Sequence, residues 1–273
     1  MPEKPEVITV VKSLIPEIVH KKITGCNIYW NNIIAYPNVD DFKINIIGQV
    51  INDIKTRGKF IVVELDDYSL LIHLRMEGKF IFRKKGDVIN KHEHVELILD
   101  NNIGFRFHDV RKFGKMYLIK KEDTYTVPPL SLLGLEYNDP NLNENYLINK
   151  FKNKKLPIKS VLLDQSIITG IGNIYDDEIL FMSEISPFRK ANEVSLEECH
   201  KIINNTRIVL EKAISLGGTT IKSFTSSEGV HGLFQNELLV HGKGGSECPK
   251  CHSTLLKVKI NGRGTHYCEK CQK

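Results

Sequence analysis

The sequence predicts an α+β protein: an N-terminal β-sandwich with a flanking N-terminal helix, a C-terminal helical domain, and a short zinc-stapled β-hairpin at the end. Three observations lead there. Residues 22–121 break into short β-branched runs separated by turn-prone pieces, the texture of an antiparallel sandwich. Residues 144–216 carry helical spacing and capping residues instead. The last stretch holds four of the six cysteines, spaced C-x2-C-x16-C-x2-C.

The chain opens on Met1-Pro2-Glu3-Lys4-Pro5-Glu6-Val7. Val7, Val10, Val11 and Leu14 follow at i, i+3, i+4 and i+7, the stripe of a helix packed on a core. If Met1 is trimmed, which the small neighbour Pro2 favours, the new terminus is a secondary amine with Glu3 beside it. An α-amino group titrates near ~8, so an appreciable neutral fraction exists at pH 7 and can attack an electrophilic carbon. The same residues also suit a plain helix start, because proline fits the first turn and Glu3 and Glu6 complement the helix dipole. Seven residues alone leave both readings open.

Strands are expected at 22–29, 60–65, 69–74, 79–83, 94–99, 103–107 and 115–120, with turns such as Asp66-Asp67 and Lys85-Gly86-Asp87 between them. Val127-Pro128-Pro129 and the turn at 138–141 read as a linker, which places a boundary near residue 135. Helices are expected at 144–152, 157–163, 173–183 and 196–216, the last capped by Ser195. The segment 164–173 joins the second helix to the third, and its two glycines let backbone come close to a ligand. Asn173 then opens a helix whose free N–H groups suit a phosphate, although capping explains an asparagine there equally well. After Gly217-Gly218, the polar stretch 222–232 is either a ligand lid or a solvated loop. Asn261-Gly262 signals a hairpin between strands at 254–260 and 265–267, with Arg263 at the turn. The domains are therefore 1–134, 135–239 and 240–273.

At 273 residues and 41% hydrophobic content the chain has material for more than one core. It has no run of eighteen apolar residues and no basic-then-apolar leader, so a soluble, cytoplasmic protein is expected. Nothing in the sequence signals an oligomer, and a monomer is expected. Residues 240–273 hold seven of the 38 Lys/Arg and two of the 33 Asp/Glu, so this tail carries the whole formal charge of +5. A basic tail on a neutral body points to a polyanionic partner or to a solvated surface. Without export, Cys248, Cys251, Cys268 and Cys271 read as four thiolate ligands of one Zn²⁺ rather than two disulfides. Cys26 and Cys199 lack such partners and read as small packed residues.

Taken together with His73-Leu74-Arg75-Met76-Glu77-Gly78, Asp109-Val110-Arg111-Lys112-Phe113-Gly114, Gly170-Ile171-Gly172-Asn173-Ile174-Tyr175 and Gly262-Arg263-Gly264-Thr265-His266-Tyr267, these features resemble the bacterial formamidopyrimidine-DNA glycosylases over nearly the whole chain. Two positions depart from that family's habit: Lys4 where it has an apolar residue and Ile8 where it commonly has Glu. The resemblance implies a helix-two-turn-helix domain, a double-stranded DNA partner, and excision of oxidised purines with β,δ-elimination. It implies Pro2 as nucleophile on C1′, Glu3 as general acid/base, Lys59 in Arg57-Gly58-Lys59-Phe60 for the first elimination and Arg263 for the second. Met76, Arg111 and Phe113 would fill the gap left by the extruded base. His92 and Lys154 would contact DNA, and His73 and Asn173 the phosphates beside the lesion. Read without the resemblance, Met76 and Phe113 serve as core, and Arg111, His92 and Lys154 as surface residues. Glu6 either orients the site or serves the helix start. The competing functions are an endonuclease VIII-like glycosylase for oxidised pyrimidines and a non-catalytic zinc-containing protein that binds damaged DNA.

Overall fold

The computed structural model describes residues 1–219 and 232–273. The chain divides into two compact units, one of residues 1–131 with 217–232, the other of 132–216 with 233–273.

In the first unit, α1 (Lys4–Ile18) precedes β1 (Ile23–Ile28), β2 (Ile34–Tyr36), α2 (Val39–Ile46) and β3 (Asp53–Arg57). Six strands follow: β4 (Phe60–Glu64), β5 (Tyr68–His73), β6 (Lys79–Lys84), β7 (Glu93–Leu99), β8 (Ile103–His108) and β9 (Lys115–Lys120). They form two sheets, β1-β7-β8-β6 and β2-β9-β5-β4-β3, antiparallel except where β2 runs parallel to β9. Inward side chains of both sheets share one core: Val95, Leu97, Phe105 and Phe107 from the first meet Ile61, Val63, Ile72 and Leu118 from the second. Val7, Val10, Val11 and Leu14 of α1 belong to the same core, as their spacing requires.

Three elements escape the sequence reading. α2 is short and rich in β-branched residues, but the Asn38 side chain accepts the Asp41 N–H at 2.9 Å and caps it, while Phe42 and Ile46 are buried. β3 is an edge strand with one buried residue, Ile54, so its sequence Asp-Ile-Lys-Thr-Arg lacks an apolar run. β2 has only three residues.

The second unit contains α3 (Glu144–Phe151), α4 (Ile158–Leu162), α5 (Asn173–Ser183), α6 (Leu196–Ser215) and the antiparallel hairpin β10 (Leu256–Ile260) with β11 (Arg263–Tyr267). Ser195 caps α6 in a capping box with Glu198, whose carboxylate accepts the Ser195 N–H at 2.8 Å. α5 is buried along most of its length, and its acidic residues are all engaged. Asp176 and Asp177 hold the ammonium of the fully buried Lys159, at 3.1 and 2.6 Å. Glu178 accepts the backbone N–H groups of Leu239, Val240 and His241. Cys26 and Cys199 are buried, and burial pushes both thiols up to about 12. No described helix is long and apolar enough to cross a membrane.

Candidate active site and zinc centre

At the start of the chain, Pro2 is buried and Glu3 is the N-cap of α1. The Glu6 carboxylate accepts the Glu3 N–H at 2.8 Å, and its other oxygen accepts the Thr219 N–H at 2.8 Å and hydroxyl at 3.1 Å. Gly218 approaches this carboxylate so closely that a Cβ there would lie 2.5 Å from Glu6 Oε1, so a side chain cannot be accommodated without movement. Glu6 thus does more than complement a helix dipole: it ties the first turn to the segment that follows α6. Lys4, the departure near the candidate nucleophile, is 5% exposed and donates to the Thr56 hydroxyl at 2.9 Å, a part-buried hydrogen bond that satisfies its ammonium. Ile8 is half-buried.

The amine at the chain start has its pKa lowered. Burial is the main cause, with Glu3 and Glu6 opposing and Lys59 and Arg111 assisting. Lys59, 5% exposed, lies in the two-residue turn between β3 and β4, where Gly58 takes φ +56°. It also acts on His73, the last residue of β5. Burial first, then Arg75 and Lys59, push that imidazole down to about 3. His73 Nδ1 accepts the Arg75 N–H at 3.0 Å, which leaves the proton of the neutral ring on Nε2. A neutral imidazole with a fixed N–H is a donor suited to a phosphate oxygen.

The two remaining motif loops of this unit lean on one ring. A Cβ on Gly78 would lie 2.6 Å from Phe107, and a Cβ on Gly114 would meet the same ring at 2.6 Å. The loop with Met76 and the loop with Arg111 and Phe113 are therefore neighbours. Asp109, fully buried, organises the second loop: its carboxylate accepts the N–H groups of Arg111, Phe113 and Gly114 at 3.0, 2.9 and 2.7 Å. Phe113 is held 49% exposed with the Arg111 guanidinium 4.7 Å over its ring, while Met76 is half-buried. His92 joins them through its carbonyl, which accepts the Asp109 N–H at 2.9 Å, and its ring lies 5.6 Å from that of His108.

In the second unit, Lys154 is paired with Asp164 at 3.1 Å, so this candidate DNA contact has an internal partner. The side chain of Gln165 pins the 164–173 loop, accepting from Gly170 and donating to the Leu163 and Ile171 carbonyls. Asn173 does not cap α5. Gly172 holds the cap position, and the Asn173 amide donates to the Gly264 carbonyl at 2.8 Å. Arg263 is exposed at the start of β11, after Asn261 and Gly262 at φ +44° and +80°. The 222–232 lid falls, save for Gly232, outside the described residues.

The four tail cysteines converge, their sulfurs all within 4.8 Å of one another. Cys248 to Cys271 is 3.9 Å and Cys251 to Cys268 is 3.5 Å. Ligands at ~2.3 Å from a tetrahedral zinc stand ~3.8 Å apart, so the donor set fits one Zn²⁺. The Ser253 hydroxyl, 2.9 Å from Cys251 Sγ, brings that thiol down to about 6, toward the thiolate a metal needs.

Comparison with known proteins agrees along the chain. The formamidopyrimidine-DNA glycosylase N-terminal domain matches residues 1–116, the formamidopyrimidine-DNA glycosylase H2TH domain residues 133–225, and a zinc finger found in FPG and IleRS residues 245–273. The formamidopyrimidine-DNA glycosylase of Oceanobacillus iheyensis is 40% identical over 273 residues, covering 100% of this chain and 98% of the relative. This chain belongs to the formamidopyrimidine-DNA glycosylase family. Its structure is similar to that of wild-type Lactococcus lactis Fpg (MutM) in complex with an oxidised-pyrimidine-containing DNA, with TM-score 0.91, 33% identity and 100% of both chains covered. The same protein in complex with an N7-benzyl-Fapy-dG-containing DNA gives 0.92, 34% and again 100% of both. The α+β architecture and the single structural zinc expected from the sequence stand with the family.

Within this formamidopyrimidine-DNA glycosylase fold, the first unit brings Glu3, Lys59 and Arg111 within electrostatic reach of the chain-start amine and His73 within reach of Lys59. Lys154, Asn173, Arg263 and the cysteines belong to the second. Sequence reasoning missed the part played by Asp109, although it stands inside the quoted motif. An aspartate two residues before an exposed arginine in a turn-rich stretch was the available signal.

Proposed function

We propose that this chain is a bifunctional DNA glycosylase and AP lyase that excises oxidised purines from duplex DNA and then cleaves the strand. The observation that carries the reading is the burial of the chain-start amine beside Glu3 and Lys59, which favours a neutral nitrogen nucleophile. With Met1 removed, the Pro2 nitrogen forms a bond to C1′ of the extruded nucleoside. The base leaves with its bonding electrons, and Glu3 then protonates O4′ as the C1′–O4′ bond breaks, opening the sugar ring so that the nitrogen lone pair forms C1′=N⁺. The iminium so formed acidifies the C2′ proton. Its loss expels the 3′ phosphate, and a further proton loss expels the 5′ phosphate. Lys59 serves the first elimination and Arg263 the second, each stabilising a departing phosphate.

Met76, Arg111 and Phe113 replace the extruded base in the stack, with Arg111 reading the orphaned cytosine. His73, His92, Lys154 and Asn173 hold backbone. Lys154 exchanges Asp164 for a phosphate on binding. The division of labour follows 1–134, 135–239 and 240–273, and the setting is cytoplasmic, on chromosomal DNA. One Lactococcus lactis relative has been solved with oxidised-pyrimidine DNA, so such lesions are a second substrate to be tested. The test is incision of duplexes carrying 8-oxoguanine, 5-hydroxycytosine or an abasic site opposite cytosine. Preference for 8-oxoguanine supports the purine reading, preference for 5-hydroxycytosine selects the endonuclease VIII-like alternative, and binding without incision leaves only the non-catalytic one.

A further inference from the structure

The second unit contains a buried polar cluster that the proposed chemistry does not use. Its centre is Asp177, in the first turns of α5 and 1% exposed. One carboxylate oxygen takes the Lys159 ammonium from α4 at 2.6 Å. The other takes His241 Nδ1 at 2.7 Å, and from β11 both the backbone N–H and Nδ1 of His266 at 3.2 Å each. Four residues earlier on the same face of α5, Asn173 donates to the Gly264 carbonyl, two residues earlier on β11. Four residues of helix advance ~6 Å and two residues of strand ~6.7 Å, so the two rungs match in spacing and form together. A slip of the hairpin by one residue would break both. The turn is fixed from the other side as well, since the Asn261 side chain donates to Ser160 of α4 at 2.8 Å. Arg263 stands between these ties, three residues from His266, with an exposed side chain.

We infer that Asp177 is a positioning residue for Arg263: by joining Lys159 of α4 to His266 of β11 it fixes the register of the hairpin against the helix pair, and so aims the guanidinium. This rests on the role proposed above for Arg263 in the second elimination.

The experiment uses the full-length, zinc-loaded protein on an abasic-site duplex and measures how cleaved product divides between the β- and δ-elimination ends on a denaturing gel. Asp177→Asn keeps the shape of the side chain and removes the charge that Lys159 and the histidines require. The δ step is expected to slow by on the order of tenfold or more, as a misplaced catalytic group does, while lesion excision and β-elimination stay near wild type. His266→Gln, which cuts only the ring contact, is expected to shift the product ratio in the same direction. It carries the test if Asp177→Asn does not fold. A merely structural role would slow all steps together and leave the ratio unchanged. Arg263→Ala is the reference. If it leaves the δ share intact, the proposed role of Arg263 fails. If it removes the δ share while Asp177→Asn and His266→Gln, each with one zinc per chain, keep the wild-type ratio, the positioning role is overturned.

Discussion

A nitrogen nucleophile must be neutral before it attacks, and the first residues of this chain supply that condition by burial. The surroundings that lower the Met1 amine are expected to act equally on the Pro2 amine of the trimmed chain, which lies one residue further in. A lowered pKa keeps the neutral form as pH falls. The acid limb of the rate of imine formation is therefore expected below the ordinary α-amine value of about 8. Single-turnover trapping across pH checks this, and a limb at or above 8 contradicts it. His73 gives a second pH signature, in stability. Unfolded, it protonates near ~6.5, whereas in the fold it resists protonation down to about 3. The unfolded state thus binds more protons between those values, and stability is lost as pH falls below the higher one. His73→Gln is expected to flatten that part of the Tm-against-pH curve.

Elements, rather than single residues, present the gap-filling side chains. Asp109 gathers three backbone N–H groups of the 109–114 loop, so Asp109→Ala leaves the buried Gly114 N–H without its acceptor, at a cost of roughly 1–3 kcal/mol, and frees the part-buried N–H groups of Arg111 and Phe113 at a smaller one. Weaker folding stability is expected together with relaxed preference for cytosine over adenine opposite the lesion. Arg111→Ala is expected to relax the preference while leaving the melting temperature near wild type. Calorimetry and incision of the two duplexes separate these outcomes. Most elements were legible because periodicity and caps are local: α5 begins and ends where 173–183 was expected, and Ser195 caps α6. The edge strand β3 and the capped α2 were not legible. The Asn38 cap of α2 and the β4 partner of β3 lie close in sequence, but each element is short and its apolar content is too small to show a period. For the site the reason is distance along the chain. Motif residues stood out, but Lys154 with Asp164, Glu6 with Thr219 and Lys4 with Thr56 are pairings that only the fold reveals.

Across the whole chain, the chemistry proposed for Pro2, Glu3 and Lys59 depends on the first unit, and that of Arg263 on a hairpin with little core of its own. The buried apolar cluster next to it is Phe181, Val240, Cys248, Leu255 and Cys268, so two of its five members are zinc ligands. Zinc removal is expected to unfold the hairpin and abolish DNA incision, with recovery on re-addition. Full incision at near-zero zinc content would show that the metal is dispensable. The central claim, however, is the identity of the nucleophile. Borohydride reduction of the protein with an abasic or 8-oxoguanine duplex, followed by mass spectrometry of the digest, reads it directly. The expected adduct is on the nitrogen of an N-terminal Pro2. An adduct on a lysine such as Lys59, with Pro2 unmodified, would contradict the account.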